Sequence, residues 1–411
     1  MFNAAIVCLV LTAVLAYLNH RYVGLPTTIG VMSIALVLSV ALVILDKLGA
    51  HAFRDYEISL LASIDFSDVL MRGMLSILLF AGALHIDLND LADYKWQVAF
   101  LSVVGTLAST LLVGVVVWAL LPVAGFTLPL PFCLLFGALI SPTDPIAVMG
   151  IVRAAGAPKS IETIIAGESL FNDGVGIVLF SLFLVMAADG HAPGASQSGM
   201  LLLREAGGGI VFGLALGYIT YRMLKSIDNY QVEILITLAA VLGGYALAQH
   251  LHVSGPLAMV MTGLLIGNHG RRLAMSEKTR DHIDMFWELL DEILNAVLFV
   301  LLGLEVILIR FSPLVMLAMA AVVITVLCIR LITVGAPVAL WHRYFRLPRR
   351  SWKVLTWGGL RGGISVALAL SLPAGSGREV VLALTYGVVV FSILGQGLTI
   401  GRLVRKTFPE T

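Results

Sequence analysis

Long uncharged apolar runs alternate with short polar segments from Phe2 to the last few residues of the chain. About 20 apolar residues in an α-helix cross the hydrocarbon core of a bilayer. The pattern therefore predicts an all-α polytopic membrane protein with about thirteen transmembrane helices. These helices lie near 2–19, 27–46, 67–86, 96–121, 129–154, 160–187, 200–225, 231–250, 254–268, 285–309, 313–340, 351–373 and 378–401.

Two of the predicted helices are interrupted near their middle. The fifth contains SPTDP at 141–145, and the twelfth contains WGGLRGG at 357–363. Proline removes a backbone donor and glycine loosens the helix, and irregular backbone at membrane depth is tolerated only where protein or water satisfies it. The pattern thus predicts two broken helices that lie inside the protein or line a water-filled cavity.

The positions of the two breaks also indicate a repeat. The fifth and twelfth helices are seven apart in the chain, so they span the membrane in opposite directions. If helices one to six are repeated as helices eight to thirteen, the fifth helix corresponds to the twelfth. Inverted repeats with broken helices are typical of secondary transporters. We expect a single membrane transport domain, 1–411, that contains two repeats at about 1–190 and 228–403. The helix at about 200–225 links the two repeats.

Composition supports a membrane protein and excludes other classes. Of 411 residues, 59% are hydrophobic and 12% are charged, whereas soluble domains carry about 25% charged residues. The balance of 26 basic against 25 acidic residues argues against nucleic-acid binding. The cysteines lie in apolar runs without metal-ligand spacing, so we expect no disulfide and no zinc site. No cofactor is expected either.

The basic residues predict an orientation. Eighteen of the 26 lie in odd-numbered connections or at the C-terminus, and four lie in even-numbered connections. Cytoplasmic loops carry the excess of lysine and arginine. The N-terminus is therefore expected outside and the C-terminus inside.

Charged residues within the predicted helices are candidates for function, because each costs a few kcal/mol to bury in the membrane. The candidates selected from these charged residues are Asp144, Glu168, Asp173, Arg330 and Arg361. Four residues advance a helix by about 400°, so Ser169 and Asp173 share one face. A hydroxyl and a carboxylate are the hard oxygen ligands that sodium prefers. Arg330 is interpreted as a packing or lipid-facing charge without an assigned role.

The ordered motifs SPTDP, GESLFND and GLRGG resemble those of monovalent cation/proton antiporters of the NhaP type, the electroneutral asparagine–aspartate branch of the sodium/proton exchanger superfamily. The resemblance covers nearly the whole chain, with LPTTIG near residue 25 and LFVLLGLE near residue 298. It implies a core in which the two broken helices cross beside an asparagine–aspartate pair. It also implies a separate dimerisation unit, and hence a homodimer in the cell (inner) membrane.

The resemblance assigns roles by motif match, and none of them is catalytic. Asp173 is expected to bind the ion and the proton, with Asn172 as its non-titrating neighbour. Thr143 and Ser169 are expected to donate oxygens to sodium together with Asp173, and Asp144 to provide the counter-charge at the half-helix ends. Glu168 and Arg361 are expected to form a structural ion pair.

The third helix departs from the family pattern. Many relatives have an acidic residue after the phenylalanine of this helix, whereas here Phe80 is followed by Ala81. Alanine cannot ligate an ion. We therefore expect this protein to hold its ion with fewer charges.

The predicted function is exchange of sodium or lithium for protons by alternating access. Since Asn172 cannot titrate, only Asp173 changes state, which predicts electroneutral one-for-one exchange. The sequence leaves open a potassium/proton antiporter, a sodium-coupled solute symporter and a passive channel. The last alternative is an enzyme, an intramembrane protease that uses Asp144 and Asp173. Such proteases place one aspartate in a Gly-x-Gly-Asp run, which this chain lacks.

Overall fold

The computed structural model describes residues 2–47, 69–189, 195–308, 312–373 and 375–409. Within these ranges the chain forms helices joined by short turns, and it contains no strand. Seven of the described helices are long and apolar enough to cross a membrane, and three shorter apolar helices accompany them. The prediction of an all-α membrane protein is confirmed at this level.

The helix bounds follow the predicted apolar segments with one marked exception. The helices of the first half are Phe2–Leu18, Thr27–Lys47, Leu75–Leu84, Leu88–Asp93, Lys95–Ala124, Leu130–Ile140, Ile146–Ala154 and Lys159–Asp189. Those of the second half are 195–224, Tyr230–His250, Gly255–Leu265, Glu277–Leu304, Pro313–Leu340, Ser351–Trp357, Gly363–Leu370 and 376–407. The predicted start of the third helix, near 67, lies outside the described residues.

The exception is Glu277–Leu304, here called the acidic helix, which was predicted to begin near 285. It begins at Glu277, where the side chain of Ser276 accepts a hydrogen bond from the backbone N–H of Thr279. A serine in this position satisfies one of the free donors of the first helical turn. The segment 277–284 is rich in charge, so hydropathy alone conceals its helical structure.

Both predicted breaks are present. The first broken helix consists of Leu130–Ile140 and Ile146–Ala154, and the second consists of Ser351–Trp357 and Gly363–Leu370. The prolines at 142 and 145 lack backbone N–H donors, which interrupts the helical hydrogen bonds at this point.

Small residues let Lys159–Asp189, here called the aspartate helix, pack closely on its neighbours. A Cβ added to Gly176 would lie 2.2 Å from Cγ of Pro142 in the first break. A Cβ added to Gly174 would lie 2.3 Å from Cδ2 of Leu257. Small residues at helix interfaces permit this close approach in membranes. Gly176 thus lets the aspartate helix approach the break, and Gly174 lets it approach the helix that carries Leu257.

Polar contacts join residues that lie in the odd-numbered connections or at the helix ends next to them. The joined pairs are Asp90 with Lys159, Asn268 with the backbone of Ile86, Asp228 with Ser276, and Gln97 with the backbone of Phe345. Their donor–acceptor distances lie between 2.6 and 3.1 Å. The third, fifth, seventh, ninth and eleventh connections therefore lie at one end of the helix bundle.

Candidate functional site

The two breaks contact each other directly. The backbone N–H of Asp144 in the first break donates to the carbonyl of Leu360 in the second, at 2.8 Å. Gly362 lies against the Asp144 side chain, and a Cβ at this glycine would be 2.2 Å from Oδ2 of Asp144. The structure thus brings together the interrupted segments that the sequence placed more than two hundred residues apart.

Arg361 stabilises this contact from the second break. Its Nη1 donates to the carbonyl of Pro142, at 2.8 Å, and to that of Ser141. These carbonyls follow the end of Leu130–Ile140, where a helix leaves carbonyl groups without partners and carries partial negative charge. The buried guanidinium group of Arg361 donates hydrogen bonds to these carbonyls and places positive charge at the negative end of the half-helix.

Asn172 and Ser169 on the aspartate helix hold Thr143 of the first break. The backbone N–H of Thr143 donates to Oδ1 of Asn172 at 3.2 Å, and Nδ2 of Asn172 donates to Oγ1 of Thr143 at 2.9 Å. The hydroxyls of Thr143 and Ser169 lie 2.9 Å apart. The amide of Asn172 therefore fixes both the backbone and the side chain of Thr143.

Asp173 lies beside this group and lines a small cavity of about 60 Å³. Its side chain is buried, with 5% of the residue exposed. The polar residues that line the cavity are Thr143, Asp144, Asp173, Asn295 and Ser365. Such a space admits water or a small cation.

Ser169 and Asn172 are not among the residues that line this cavity, although both contact Thr143, which does. In this structure Ser169 therefore reaches the cavity through Thr143. Its predicted role as an oxygen donor to sodium stays a prediction.

The predicted ion pair between Glu168 and Arg361 is wrong, because Glu168 pairs with Arg330. Nη1 and Nη2 of Arg330 donate to the two carboxylate oxygens of Glu168 at 2.9 and 3.3 Å. Both side chains are buried. Arg361 instead uses Nη1 on the carbonyls of the first break.

Of the two interpretations of Arg330, a lipid-facing charge is wrong because the side chain is buried, whereas a packing charge agrees with its contacts. Besides Glu168, it donates from Nε to the carbonyl of Thr356 and from Nη2 to that of Leu355, at 3.3 and 3.0 Å. These carbonyls lie in the last turn of Ser351–Trp357. Arg330 therefore satisfies the C-terminal end of a half-helix, as Arg361 does in the first break.

Sequence reasoning missed Asn295 and Ser365 as residues of the cavity wall. Asn295 lies on the acidic helix, and Ser365 lies in the second half of the second broken helix. Lone asparagine and serine residues within apolar segments attract little notice in a hydropathy pattern. The available signal was a polar side chain within a predicted membrane helix, which is unfavourable there unless it has a partner or a function.

The helix Leu75–Leu84 contributes an apolar wall. Leu75, Leu78, Leu79 and Gly82 line the cavity, and Ala81 is buried. No described residue of this helix thus offers a side-chain oxygen to the cavity, in agreement with the departure from the family pattern at Ala81.

Comparison with known proteins gives one consistent family. The sequence profile described as "Sodium/hydrogen exchanger, transmembrane" matches residues 10–406. The Na(+)/H(+) antiporter NhaP of Pseudomonas aeruginosa is 52% identical over 403 residues, covering 97% of this chain and 95% of the relative. The Na(+)/H(+) antiporter NhaH of Halobacillus dabanensis is 35% identical over 381 residues, covering 91% of each chain.

Among solved structures, the sodium proton antiporter MjNhaP1 from Methanocaldococcus jannaschii at pH 8 has a similar fold. The TM-score is 0.76 at 20% sequence identity, and the match covers 98% of this chain and 97% of the other. At this identity the likeness concerns the fold.

Proposed function

Because the chain belongs to the sodium/hydrogen exchanger family, it is a sodium/proton antiporter, and we propose that sodium and the proton compete for Asp173. The observation that carries this proposal is the position of Asp173. It is buried, it lines the cavity beside the contact of the two breaks, and no ion pair joins it to a basic side chain in the described residues. A carboxylate that a basic neighbour does not hold is available to either ion.

The coupling follows from the cost of burying charge. An empty, ionised Asp173 would carry an unpaired negative charge through a low-dielectric barrier, which is unfavourable by several kcal/mol. Binding either a proton or a cation removes this charge. The protein therefore changes its accessible face with one ion or the other bound, which makes transport an exchange.

The neighbours of Asp173 have distinct proposed roles. Thr143 donates a hydroxyl oxygen to sodium, and Ser169 supports it or adds a second oxygen. Asn172 holds Thr143 and cannot itself titrate. Asp144 provides negative charge where the second half of the second broken helix begins, against Gly362, and helix N-termini favour negative charge.

One titrating carboxylate per cycle gives the proposed stoichiometry of one proton for one cation, without net charge movement. The contacts between odd-numbered connections support an arrangement of thirteen helices in which these connections share one end. The excess of basic residues in the same connections supports the proposed N-terminus outside and C-terminus inside. Two inverted repeats in a single transport domain, a homodimer and the cell membrane as location complete the proposal. The proposed repeats rest on the two paired breaks, and the proposed homodimer and membrane location rest on the resemblance to the family.

The decisive experiment compares Asp173→Asn with the wild type in proteoliposomes that contain a pH-sensitive dye. Asp173→Asn should abolish sodium-dependent proton movement, because an amide cannot exchange a proton for a cation. Asp93→Asn, at an exposed aspartate on a connection, is the matched control and should transport as the wild type does. Retained exchange in Asp173→Asn would reject the role of Asp173.

The same preparation tests ion choice and stoichiometry. Sodium, lithium and potassium are compared at equal pH gradients, and a response to potassium alone would favour the potassium/proton alternative. The turnover rate is then measured at several clamped membrane potentials. An electroneutral cycle gives a rate that is independent of potential, so a rate that follows the potential would exclude one-for-one exchange.

A further inference from the structure

The acidic helix forms the part of the cavity wall that carries Asn295. This asparagine is 1% exposed. Its Nδ2 donates to the carbonyl of Asp291 one turn earlier, at 2.8 Å. Its Oδ1 is buried and, among the described residues, has no hydrogen-bond partner.

The chemistry of the amide group fixes its orientation. The carbonyl of Asp291 can only accept a hydrogen bond, so the atom that faces it must be the amide nitrogen. The remaining atom of the group is therefore the oxygen. A buried amide oxygen without a partner is unfavourable, whereas the same oxygen is a suitable ligand for a hard cation.

Asp291 places a carboxyl group next to Asn295, one helical turn earlier. Its Oδ1 is also buried without a hydrogen-bond partner in the part of the chain that the structure describes. The carboxylates of Asp291 and Asp144 are close enough to interact electrostatically. The carboxylates of Asp144 and Asp173 are also close enough to interact electrostatically. The carboxyl groups of Asp144 and Asp173 thus line the cavity, and that of Asp291 lies next to Asn295 in its wall.

The face of the acidic helix that carries these residues extends beyond the cavity. Residues three or four apart share a helix face, and this spacing continues the face through Glu288 and Asp284 to Asp281. Asn295 is buried, Asp291 is half-buried, and Glu288 and Asp281 are exposed. Asp284 forms an ion pair with Arg271. The face therefore connects an acidic surface with the cavity.

The neighbouring apolar wall explains why an oxygen at this position matters. The helix Leu75–Leu84 offers apolar side chains and Gly82 to the cavity, and it has Ala81 where many relatives have an acid. An ion in the cavity therefore receives no side-chain oxygen from that direction. Asn295 supplies one from the acidic helix.

We propose that Oδ1 of Asn295 is a direct ligand of the transported sodium ion, together with Asp173 and Thr143, and that Asp291 is the charge that draws the ion toward it. This inference rests on the proposed function, because it names a further ligand at the same site. It assigns to the acidic helix a part in ion binding that compensates for the apolar wall of Leu75–Leu84.

The test measures the sodium KM and the maximal rate of Asn295→Ala in proteoliposomes of the full chain. Loss of the oxygen should raise the sodium KM by about tenfold, the order expected when a charged group loses one polar contact. The maximal rate should change much less, because Asp173 remains. In detergent, added sodium should raise the unfolding temperature of Asn295→Ala less than that of the wild type, since ligand binding stabilises the folded state.

Asn19 provides a closely matched control. It is 3% exposed, its Nδ2 donates to the carbonyl of Leu25 at 2.8 Å, and its Oδ1 is also buried without a partner among the described residues. Unlike Asn295, it is not part of the cavity wall. Asn19→Ala should therefore leave the sodium KM unchanged, which separates ligand loss from the general effect of removing a buried amide.

The outcomes distinguish the two proposals. No sodium-dependent proton movement in the wild type would reject the proposed function itself. Normal wild-type exchange with an unchanged sodium KM in Asn295→Ala, or an equal rise in Asn19→Ala, would overturn only the role of Asn295. If Asn295→Ala does not fold, Asn295→Asp carries the test. It keeps the shape and an oxygen, so its sodium KM should be no higher than that of the wild type, and a higher value would overturn the inference.

Discussion

Two buried arginines stabilise the breaks by donating hydrogen bonds to carbonyl groups that the half-helices leave free. Arg361 serves the end of Leu130–Ile140, and Arg330 serves the end of Ser351–Trp357. Arg330 also neutralises Glu168 on the aspartate helix. A guanidinium group suits this position, because its planar set of donors can reach a carboxylate and carbonyls at once. One side chain thus joins three helices.

Removing Arg330 should therefore destabilise the protein. Arg330→Met fills similar volume but leaves the carboxylate of Glu168 buried without its partner, which should lower the free energy of unfolding by about 3 kcal/mol or more. Thermal unfolding of the purified protein in detergent measures the effect. Unfolding of Arg330→Met at the wild-type temperature would contradict this prediction.

The control for this variant is Arg153→Met. Arg153 forms an ion pair with Glu162 at 3.2 Å, but its side chain is 73% exposed. Exposed pairs contribute about 0–1 kcal/mol, so Arg153→Met should unfold close to the wild-type temperature. The comparison separates the burial of the pair from the mere loss of an arginine.

At the scale of elements, the site depends on how closely the two broken helices approach. The hydrogen bond from Asp144 to the carbonyl of Leu360 joins the breaks, and Gly362 faces the Asp144 side chain. A residue with a side chain at 362 would have to displace the carboxylate or the backbone. Glycine is therefore required here by space, and the flexibility of the WGGLRGG segment is a secondary consequence.

Gly362→Ala should accordingly impair exchange. The added Cβ would lie 2.2 Å from Oδ2 of Asp144, so the breaks must separate and the cavity must change shape. We expect the exchange rate at saturating sodium to fall by about tenfold or more, which corresponds to a small increase in the barrier. The measurement is sodium-dependent proton movement in proteoliposomes.

Gly243→Ala is the matched control for this substitution. Gly243 lies in the helix Tyr230–His250, and a Cβ there meets nothing within 4 Å. Alanine favours a helix over glycine by about 1 kcal/mol, so this variant should transport normally and unfold at the same or a higher temperature. Equal rates for both variants would show that the breaks tolerate a wider separation.

For the whole molecule, the polar contacts between odd-numbered connections agree with the distribution of basic residues. The contacts place these connections at one end of the bundle, and the same connections carry most of the lysines and arginines. The orientation proposed from charge and the arrangement of the helices are thus mutually consistent.

Labelling of introduced cysteines tests this orientation. Thr127 and Ser226 are exposed and lie on an even-numbered and an odd-numbered connection. In a Cys328→Ser background, which removes the exposed native thiol, an impermeant thiol reagent added to intact cells should label Thr127→Cys. Ser226→Cys should react only after the membrane is opened. The reverse pattern would invert the proposed topology.

The sequence by itself determined the features that depend on local chemistry. Apolar length revealed the membrane helices, the prolines at 142 and 145 and the glycines of 358–363 revealed both breaks, and helical spacing placed Ser169 and Asp173 on one face. Each of these follows from a few neighbouring residues. The hydropathy pattern did not predict the start of the acidic helix at Glu277, because the charged residues of its first turns lower the hydropathy.

Only the tertiary structure decided which distant groups meet. Arg330 and Arg361 both lie in apolar segments, and no spacing rule tells which of them reaches Glu168, because the pair Glu168–Arg330 spans 162 residues. The same holds for Asn295, which becomes a candidate ligand only because the acidic helix packs beside the breaks. Periodicity assigns a residue to a face of its own helix, whereas packing between helices determines which faces form a site.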